Sequence, residues 1–273
     1  KSDINGAAAK LKANEICVSA LTGYNVNELK ELIGKSAKTT EKITPIIGDL
    51  INKGDVVVLV VPIDKAAPKG RLILPQQMTI RDILDSGAVA VTCRDTELED
   101  TITKLKNKPE LVITDSQAFD FVSKALPTDI PLTSFSILFA RYKGDLSQLV
   151  KGASVLSMLN DGDRVLISEG CTHHRQCNDI GTVKLPGWIE KFSGVKPQFV
   201  FTSGGEFPDD LSSFRLVVHC GGCMLNEKEV KSRIERCALA GVPIVNYGVA
   251  IAHMNGILKR SLEVFPDVVK ILE

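Results

Sequence analysis

Residues 215–240 read RLVVHCGGCMLNEKEVKSRIERCALA, and this stretch is the most informative about the fold because its pattern is typical of one complete strand, loop and helix. An apolar run ends at His219, a loop with two cysteines and two glycines follows, and an amphipathic segment begins near Asn226. Apolar residues recur at helical spacing along one face of that segment. The pattern predicts a buried strand joined to a helix, which is the repeating unit of a parallel α/β sheet.

The same alternation extends through the chain from about residue 38, so we predict an α/β fold with two successive parallel-sheet units. The strands of the first unit are expected near residues 56–63, 88–93, 111–114 and 132–137. Those of the second are expected near residues 164–168, 199–202, 215–219 and 243–247. Helices are expected at 96–106, 116–125 and 226–240. A polar string at residues 141–145 predicts an exposed linker between the units.

Composition excludes several classes of function. Lysine and arginine balance aspartate and glutamate at 33 each with no basic tail, so we expect no nucleic-acid partner. No apolar stretch reaches the ~20 residues that span a bilayer, and the first residues lack a signal-peptide core. We therefore expect a cytoplasmic protein without a membrane partner. Seven cysteines in a chain of 273 residues do not suggest a disulfide framework.

Two short clusters carry the chemistry, Cys171-Thr172-His173 and His219-Cys220-Gly221-Gly222-Cys223, and each directly follows a predicted strand. In an open parallel sheet, sites form outside the carboxyl ends of the strands, so the two clusters are expected to meet. We predict one metal site with Cys171, Cys220 and Cys223 as thiolate ligands and with His173 and His219 as candidate ligands. Thiolates select zinc, copper(I) or an iron-sulfur cluster.

Three interpretations of this site stay open on the residues alone. A cluster of four irons normally takes four cysteines, so three would leave one iron with an exchangeable ligand. Alternatively, the three cysteines and one histidine complete a tetrahedral zinc site, which would make the chain a zinc-stabilised α/β interaction module. A cysteine-dependent enzyme would use Cys220 as nucleophile and a histidine as base.

The remaining cysteines divide into two groups. Cys17, Cys93 and Cys237 stand among apolar residues and are expected to be small buried hydrophobes. Cys177 lies in a polar loop six residues after Cys171, so it stays a spare candidate ligand.

The first 38 residues resemble the end of a small GTPase domain. Lys1-Ser2-Asp3 matches the end of the N-K-x-D motif, whose aspartate binds the guanine base, and Ser19-Ala20 matches a later turn that contacts the base. The resemblance implies a guanine-binding remnant of Asp3, Ser19 and Ala20. It also implies a missing phosphate loop and magnesium site, so this chain is not expected to hydrolyse GTP.

With a GTPase tail, a middle α/β unit and a C-x-H and H-C-x-x-C domain in that order, the chain resembles the HydF family of FeFe-hydrogenase maturation GTPases. The resemblance implies a GTPase remnant at 1–38, a dimerisation domain at 39–139 and a cluster-binding domain at 140–273. It further implies a 4Fe-4S cluster on Cys171, Cys220 and Cys223.

The family's role sets the remaining expectations. Its members act as scaffolds that accept a two-iron precursor from the radical SAM maturases HydE and HydG and deliver it to apo FeFe-hydrogenase. The resemblance implies a homodimer through the middle domain, with GTP and magnesium bound only in the intact protein.

Overall fold

The computed structural model describes residues 15–36, 44–63, 72–170 and 180–272. These residues fall into two compact units, one up to Thr44 and one from Pro45 onward. In the first unit, a turn leads into helix α1 (Val26–Ser36). The Gly23 N–H donates to the Ser19 carbonyl at 2.9 Å, which closes this turn.

The larger unit begins with a parallel sheet whose strands follow the order β2-β1-β3-β4. The strands are β1 (Val56–Val60), β2 (Val89–Cys93), β3 (Leu111–Thr114) and β4 (Leu132–Ser134). Successive strands are joined by α2 (Leu74–Asp85), α3 (Leu98–Lys104) and α4 (Phe119–Ala125), with a 3-10 turn (Asp95–Glu97) before α3. Helix α5 (Phe135–Lys143) follows β4 directly.

A second parallel sheet has the equivalent order, β6-β5-β7-β8. Its strands are β5 (Arg164–Ser168), β6 (Gln198–Thr202), β7 (Leu216–His219) and β8 (Ile244–Asn246). Helix α6 (Leu146–Ala153) and a 3-10 turn (Ser154–Met158) precede it. The later helices are α7 (Leu185–Ser193), α8 (Glu227–Leu239), α9 (Tyr247–Met254), α10 (Leu258–Ser261) and α11 (Pro266–Val269). A π-helical turn (Ile180–Lys184) precedes α7, and a 3-10 turn (Lys270–Leu272) follows α11. The prediction of two parallel-sheet α/β units is confirmed.

The two sheets share one hydrophobic core. Val58 and Val112, on one face of the first sheet, belong to a smaller cluster that includes residues of α3 and α4. Val57 and Leu59, on the opposite face, belong to a larger cluster that continues through α5 and α6 into both faces of the second sheet. Burial of apolar surface is the main favourable term in folding, so the two sheets stabilise each other.

Two predicted strands extend too far because helices begin earlier than the apolar pattern suggests. The side chain of Ser134 accepts the N–H of Ile137 at 3.2 Å, and that of Asn246 accepts the N–H of Val249 at 2.8 Å. Both are N-cap hydrogen bonds, which fix the first turn of a helix. The residues after β4 and β8 are therefore helical.

The string at residues 141–145 is not an exposed linker throughout, as its polarity predicts, because residues 141–143 belong to a helix. Helix α5 continues to Lys143, whose exposed fraction is only 8%. Phe135, Phe139 and Lys143 are four residues apart, so they lie on the same buried face of the helix. Gly144 and Asp145 alone separate α5 from α6, and the boundary expected after residue 139 falls inside α5.

Candidate metal centre

The candidate centre lies at the carboxyl ends of β5 and β7. These strands are neighbours in the middle of the second sheet, and the chain leaves them toward opposite edges, β6 and β8. Such a change of direction opens a crevice in which α/β proteins bind ligands. Ser168 pairs in register with His219, so Glu169-Gly170 and Cys220 leave the sheet side by side.

The thiol of Cys220 receives two backbone N–H donors. The Gly170 N–H lies 3.0 Å and the Gly222 N–H 3.4 Å from its Sγ atom. Gly222 has a φ of +61°, a conformation that favours glycine, and this turns its N–H back toward the sulfur. Burial raises the pKa of the Cys220 thiol, and the two donors act in the opposite direction. A soft metal ion would displace the thiol proton and gain a thiolate that already has two hydrogen-bond donors.

The backbone of the cysteine loop is bound by Lys143 of α5. The Lys143 Nζ donates to the carbonyls of Gly222 at 2.9 Å, Cys223 at 3.0 Å and Leu225 at 2.8 Å. Burial lowers the pKa of Lys143, and the charges of Cys223 and Cys220 oppose that effect. Lys143, His219 and Cys220 also line a cavity of about 20 Å³ between α5 and the loop.

His219 is buried and both of its ring nitrogens have partners. Its Nδ1 lies 2.6 Å from the carbonyl of Cys220 and its Nε2 lies 3.1 Å from the guanidinium of Arg233. A carbonyl only accepts and a guanidinium only donates, so Nδ1 carries the proton and Nε2 accepts. Burial is the larger and the charge of Arg233 the smaller of two effects that lower the pKa of His219 to about 4. The neutral ring therefore holds the Cys220 carbonyl, and metal ligation would require it to release Arg233.

Arg233 of α8 joins the ends of the strands around the centre. It is 1% exposed, and it donates to Glu229 at 2.8 Å, to the Gly204 carbonyl at 2.8 Å and to Ser168 at 3.4 Å. These partners lie on α8, on the loop after β6 and on β5. Arg233 therefore fixes the positions of the strand ends from which the cysteine loop begins.

The structure brings together part of the predicted ligand set. His219 ends β7 and Cys220 and Cys223 lie on the loop that follows it, whereas Cys171, His173 and the spare Cys177 lie outside the described residues. Gly170, the last described residue before them, is hydrogen bonded to Cys220. No group of three or more histidine, cysteine or carboxylate side chains converges as a metal site in the described part of the chain. The five-residue ligand set therefore stays a prediction.

The remaining predicted site residues and cysteines are distributed as follows. Asp3 lies outside the described residues. Ser19 accepts the Thr22 N–H through its Oγ at 3.3 Å, in the turn where the guanine contact is expected. Cys93 and Cys237 are buried as predicted, and burial raises the pKa of Cys237 to about 12. Cys17 is only half-buried.

Sequence reasoning missed Lys143 and Arg233. Helical spacing is the sequence signal for both residues, because side chains four residues apart lie on the same face of a helix. Lys143 follows the apolar Phe139 by four residues, and Arg233 precedes Cys237 by four. Lysine and arginine are rarely buried, so an apolar pattern does not indicate that side chains of these two types lie in a core.

The described residues fit a thiolate-bound iron-sulfur cluster. The Cys220-Cys223 spacing supplies two thiolates, backbone N–H groups point at one sulfur, and a buried ammonium lies under the loop. Hydrogen bonds to sulfur are a recurring feature of such sites. A Cβ at exposed Gly221 would meet nothing within 4 Å, so the outer side of the loop has room for a bulky group.

The fold and the centre define a class of protein, a two-sheet α/β protein that presents a cysteine loop at the switch point of its second sheet. Residues 46–144 match the model of the hydrogen maturase F dimerization domain, and residues 147–264 match that of the hydrogen maturase F tetramerization domain. The chain therefore belongs to the hydrogen maturase F family. Its role lies in hydrogenase maturation, and the dimerization domain supports a homodimer.

The other comparisons add no argument about function. No curated protein matches the chain. An NtrC family transcriptional regulator from Clostridium acetobutylicum aligns with 81% of this chain and 99% of its own, at 12% identity and a TM-score of 0.24, which is too low to indicate a shared fold. Within the described residues, no helix has both the length and the apolar composition to cross a membrane.

Proposed function

We propose that this protein binds a 4Fe-4S cluster through Cys171, Cys220 and Cys223 and serves as a scaffold in FeFe-hydrogenase maturation. The observation that carries the proposal is the cysteine loop after β7, where Cys220 receives two N–H donors and Lys143 binds the loop backbone. Cys171 follows Gly170 in the sequence, and Gly170 is the donor closest to the Cys220 sulfur.

The protein's own residues have separate tasks in this function. Cys220 and Cys223 supply thiolates, the Gly170 and Gly222 N–H groups stabilise negative charge on sulfur, and His219 holds the Cys220 carbonyl. When bound through three cysteines, the cluster supplies an iron with an exchangeable ligand. That exchangeable position suits the temporary binding of a second metal-containing group.

The substrate of this scaffold is a two-iron precursor. On the family's pattern, the protein accepts it from the radical SAM maturases HydE and HydG and delivers it to apo FeFe-hydrogenase in the cytoplasm. GTP binding and hydrolysis, with magnesium, belong to the intact GTPase domain, of which Asp3, Ser19 and Ala20 are the proposed remnant.

Metal analysis of anaerobically purified protein tests the proposal. We expect about four irons and a similar amount of labile sulfide per chain. Cys220→Ala should lose the cluster, and Cys237→Ala is the matched control because Cys237 is a buried cysteine of the same sheet unit. Full zinc occupancy with little iron would instead support the zinc-stabilised module.

A delivery assay tests the role of the scaffold. Protein loaded with the two-iron precursor should activate apo-hydrogenase, and the Cys220→Ala variant treated in the same way should not. Equal activation by the two proteins would contradict a scaffold function at this loop.

A further inference from the structure

The strongest remaining feature is a pair of buried basic side chains. Among the lysines and arginines of the described residues, only Lys143 and Arg233 are buried. Arg233 contacts His219 at the carboxyl end of β7, and Lys143 contacts the loop that follows it. Arg233 lies on α8 of the same unit. Lys143 instead lies on α5, at the end of the segment that matches the dimerization domain.

The hydrogen bonds of Lys143 require a charged side chain. Its Nζ has three carbonyl acceptors at 2.8 to 3.0 Å, and only an ammonium has three hydrogens to donate. The three carbonyls belong to residues 222, 223 and 225, so the bonds surround Cys223. Within the described residues, the partners of Lys143 include no carboxylate. Among the described residues, the carbonyl dipoles of the loop therefore balance this positive charge.

A buried charge of this kind is costly unless an anion lies nearby. The Nζ also lies 5.8 Å from the centre of the Phe139 ring, whose face attracts a cation only weakly by comparison with a full negative charge. Thiolates at Cys220 and Cys223 would supply negative charge on the loop that Lys143 binds. The loop and the lysine are thus electrostatically complementary when the loop carries a thiolate-bound group.

We propose that Lys143 is a positioning residue that presets the cysteine loop for the cluster and offsets the negative charge held there. This inference rests on the proposed function. Through Lys143, the dimerization domain contributes one side chain to the metal centre of the next domain. The arrangement couples the two domains at the site that holds the cluster.

The geometry favours lysine over arginine at this position. A compact ammonium places its three hydrogens on three carbonyls that surround one point, whereas a guanidinium is planar and directs its donors into a fork. The position is also enclosed by the Phe139 ring and the loop backbone. Arginine would need more space and would not satisfy the same acceptors.

Three variants of the full chain separate the effects of charge and hydrogen bonding. Lys143→Met removes both, and Lys143→Gln keeps two N–H donors while it removes the charge. Lys151→Met is the matched control, because Lys151 is exposed on the neighbouring helix α6. Each protein is reconstituted with iron and sulfide, and the midpoint potential of its cluster is measured by titration.

We expect both Lys143 variants to have more negative midpoint potentials than the wild type, since a positive charge stabilises the reduced cluster. They should also lose iron to a chelator several-fold faster, and Lys151→Met should match the wild type in both measurements. Unchanged potential and iron retention in both Lys143 variants would overturn the inference.

Hydrogen exchange on the metal-free proteins tests the positioning role of Lys143 independently of whether the protein binds a 4Fe-4S cluster. The Leu225 N–H donates to the Gly222 carbonyl at 3.1 Å within the loop, so its exchange reports loop order. Lys143→Met should accelerate it several-fold, with Lys143→Gln intermediate, and equal exchange would contradict the positioning role. If the wild type binds only zinc, the cluster proposal fails while this measurement still decides whether Lys143 orders the loop.

Discussion

Arg233 illustrates how a buried charge becomes part of a site. Its guanidinium contacts an acidic side chain, a histidine, a serine and a carbonyl on different elements. Such a residue contributes little net energy when its partners are satisfied, but its removal leaves them without a donor. Residues of this type fix geometry, which is the requirement of a metal site.

Arg233→Met should destabilise the protein by about 3 kcal/mol, because His219 and the Gly204 carbonyl lose a buried donor. The midpoint of urea unfolding should fall accordingly. Arg236→Met is the control, since Arg236 stacks on the same Phe207 ring but its side chain is 34% exposed. Equal midpoints for the two variants would show that the buried network adds nothing.

His219 should make the stability of the metal-free protein depend on pH. Its folded-state pKa of about 4 lies below the ordinary value of 6.5, so the unfolded chain binds more protons between these values. Stability is fully present above pH 6.5 and falls as the pH drops toward 4, by up to about 3 kcal/mol. Burial and the positive charge of Arg233 lower the pKa of His219. The hydrogen bond to the Cys220 carbonyl and the negative charge of Glu229 raise it.

Urea unfolding of the metal-free wild type and His219→Gln at several pH values measures this effect. The slope between pH 6.5 and 4 should be smaller in the variant, because glutamine does not titrate. Parallel slopes would show that other groups cause the acid sensitivity.

At the scale of secondary structure, local signals predicted most elements and failed at their ends. β-branched runs predict the central strands well because both faces of these strands are buried, as in β1 and β5. The strands expected at 132–137 and 243–247 are too long because Phe135 and Tyr247 continue an apolar run. The N-cap hydrogen bonds that start the helices there depend on side-chain geometry. Because a strand is expected up to residue 137, the sequence pattern does not show that Phe135, Phe139 and Lys143 lie on one buried face of a helix.

The contact between α6 and β8 depends on Gly152. A Cβ at this position would overlap the carbonyl group of Ile244, so the helix contacts the strand backbone directly. Gly152→Ala should destabilise the protein by roughly 1–3 kcal/mol, although alanine favours a helix by about 1 kcal/mol.

Gly187→Ala is the matched control for that variant in thermal unfolding. Gly187 also lies in a helix, α7, and a Cβ there would meet nothing within 4 Å. The control should keep or raise the melting temperature, and a similar gain for Gly152→Ala would refute the close contact.

At the scale of the molecule, the continuous core makes one folding unit of the two sheets. The larger hydrophobic cluster includes Leu59 of the first sheet and Val217 of the second. A sequence alone does not reveal this, because apolar faces indicate burial but not the partner that buries them. Prediction of the site is limited in the same way, since the spacing predicts Cys220 and Cys223 as ligands but does not indicate the side chains that support their loop.

Residues 45–272 should therefore unfold in one transition. The single tryptophan, Trp188, lies on α7 beside the second sheet, so its fluorescence reports that sheet, whereas far-ultraviolet circular dichroism reports both. The two signals should give the same urea midpoint. A circular dichroism transition at lower urea than that of Trp188 would indicate that the first sheet unfolds independently.

The position of Lys143 has a practical consequence for work with fragments. The two family domains meet between residues 144 and 147, one turn after Lys143. A polypeptide that starts at this boundary keeps Cys220 and Cys223 but exposes three carbonyls that have lost their donor. Metal affinities measured on an isolated C-terminal domain would thus describe a different loop from the one in the whole chain, and polypeptides intended for such measurements should keep both α5 and the first sheet, which shares its core with the second.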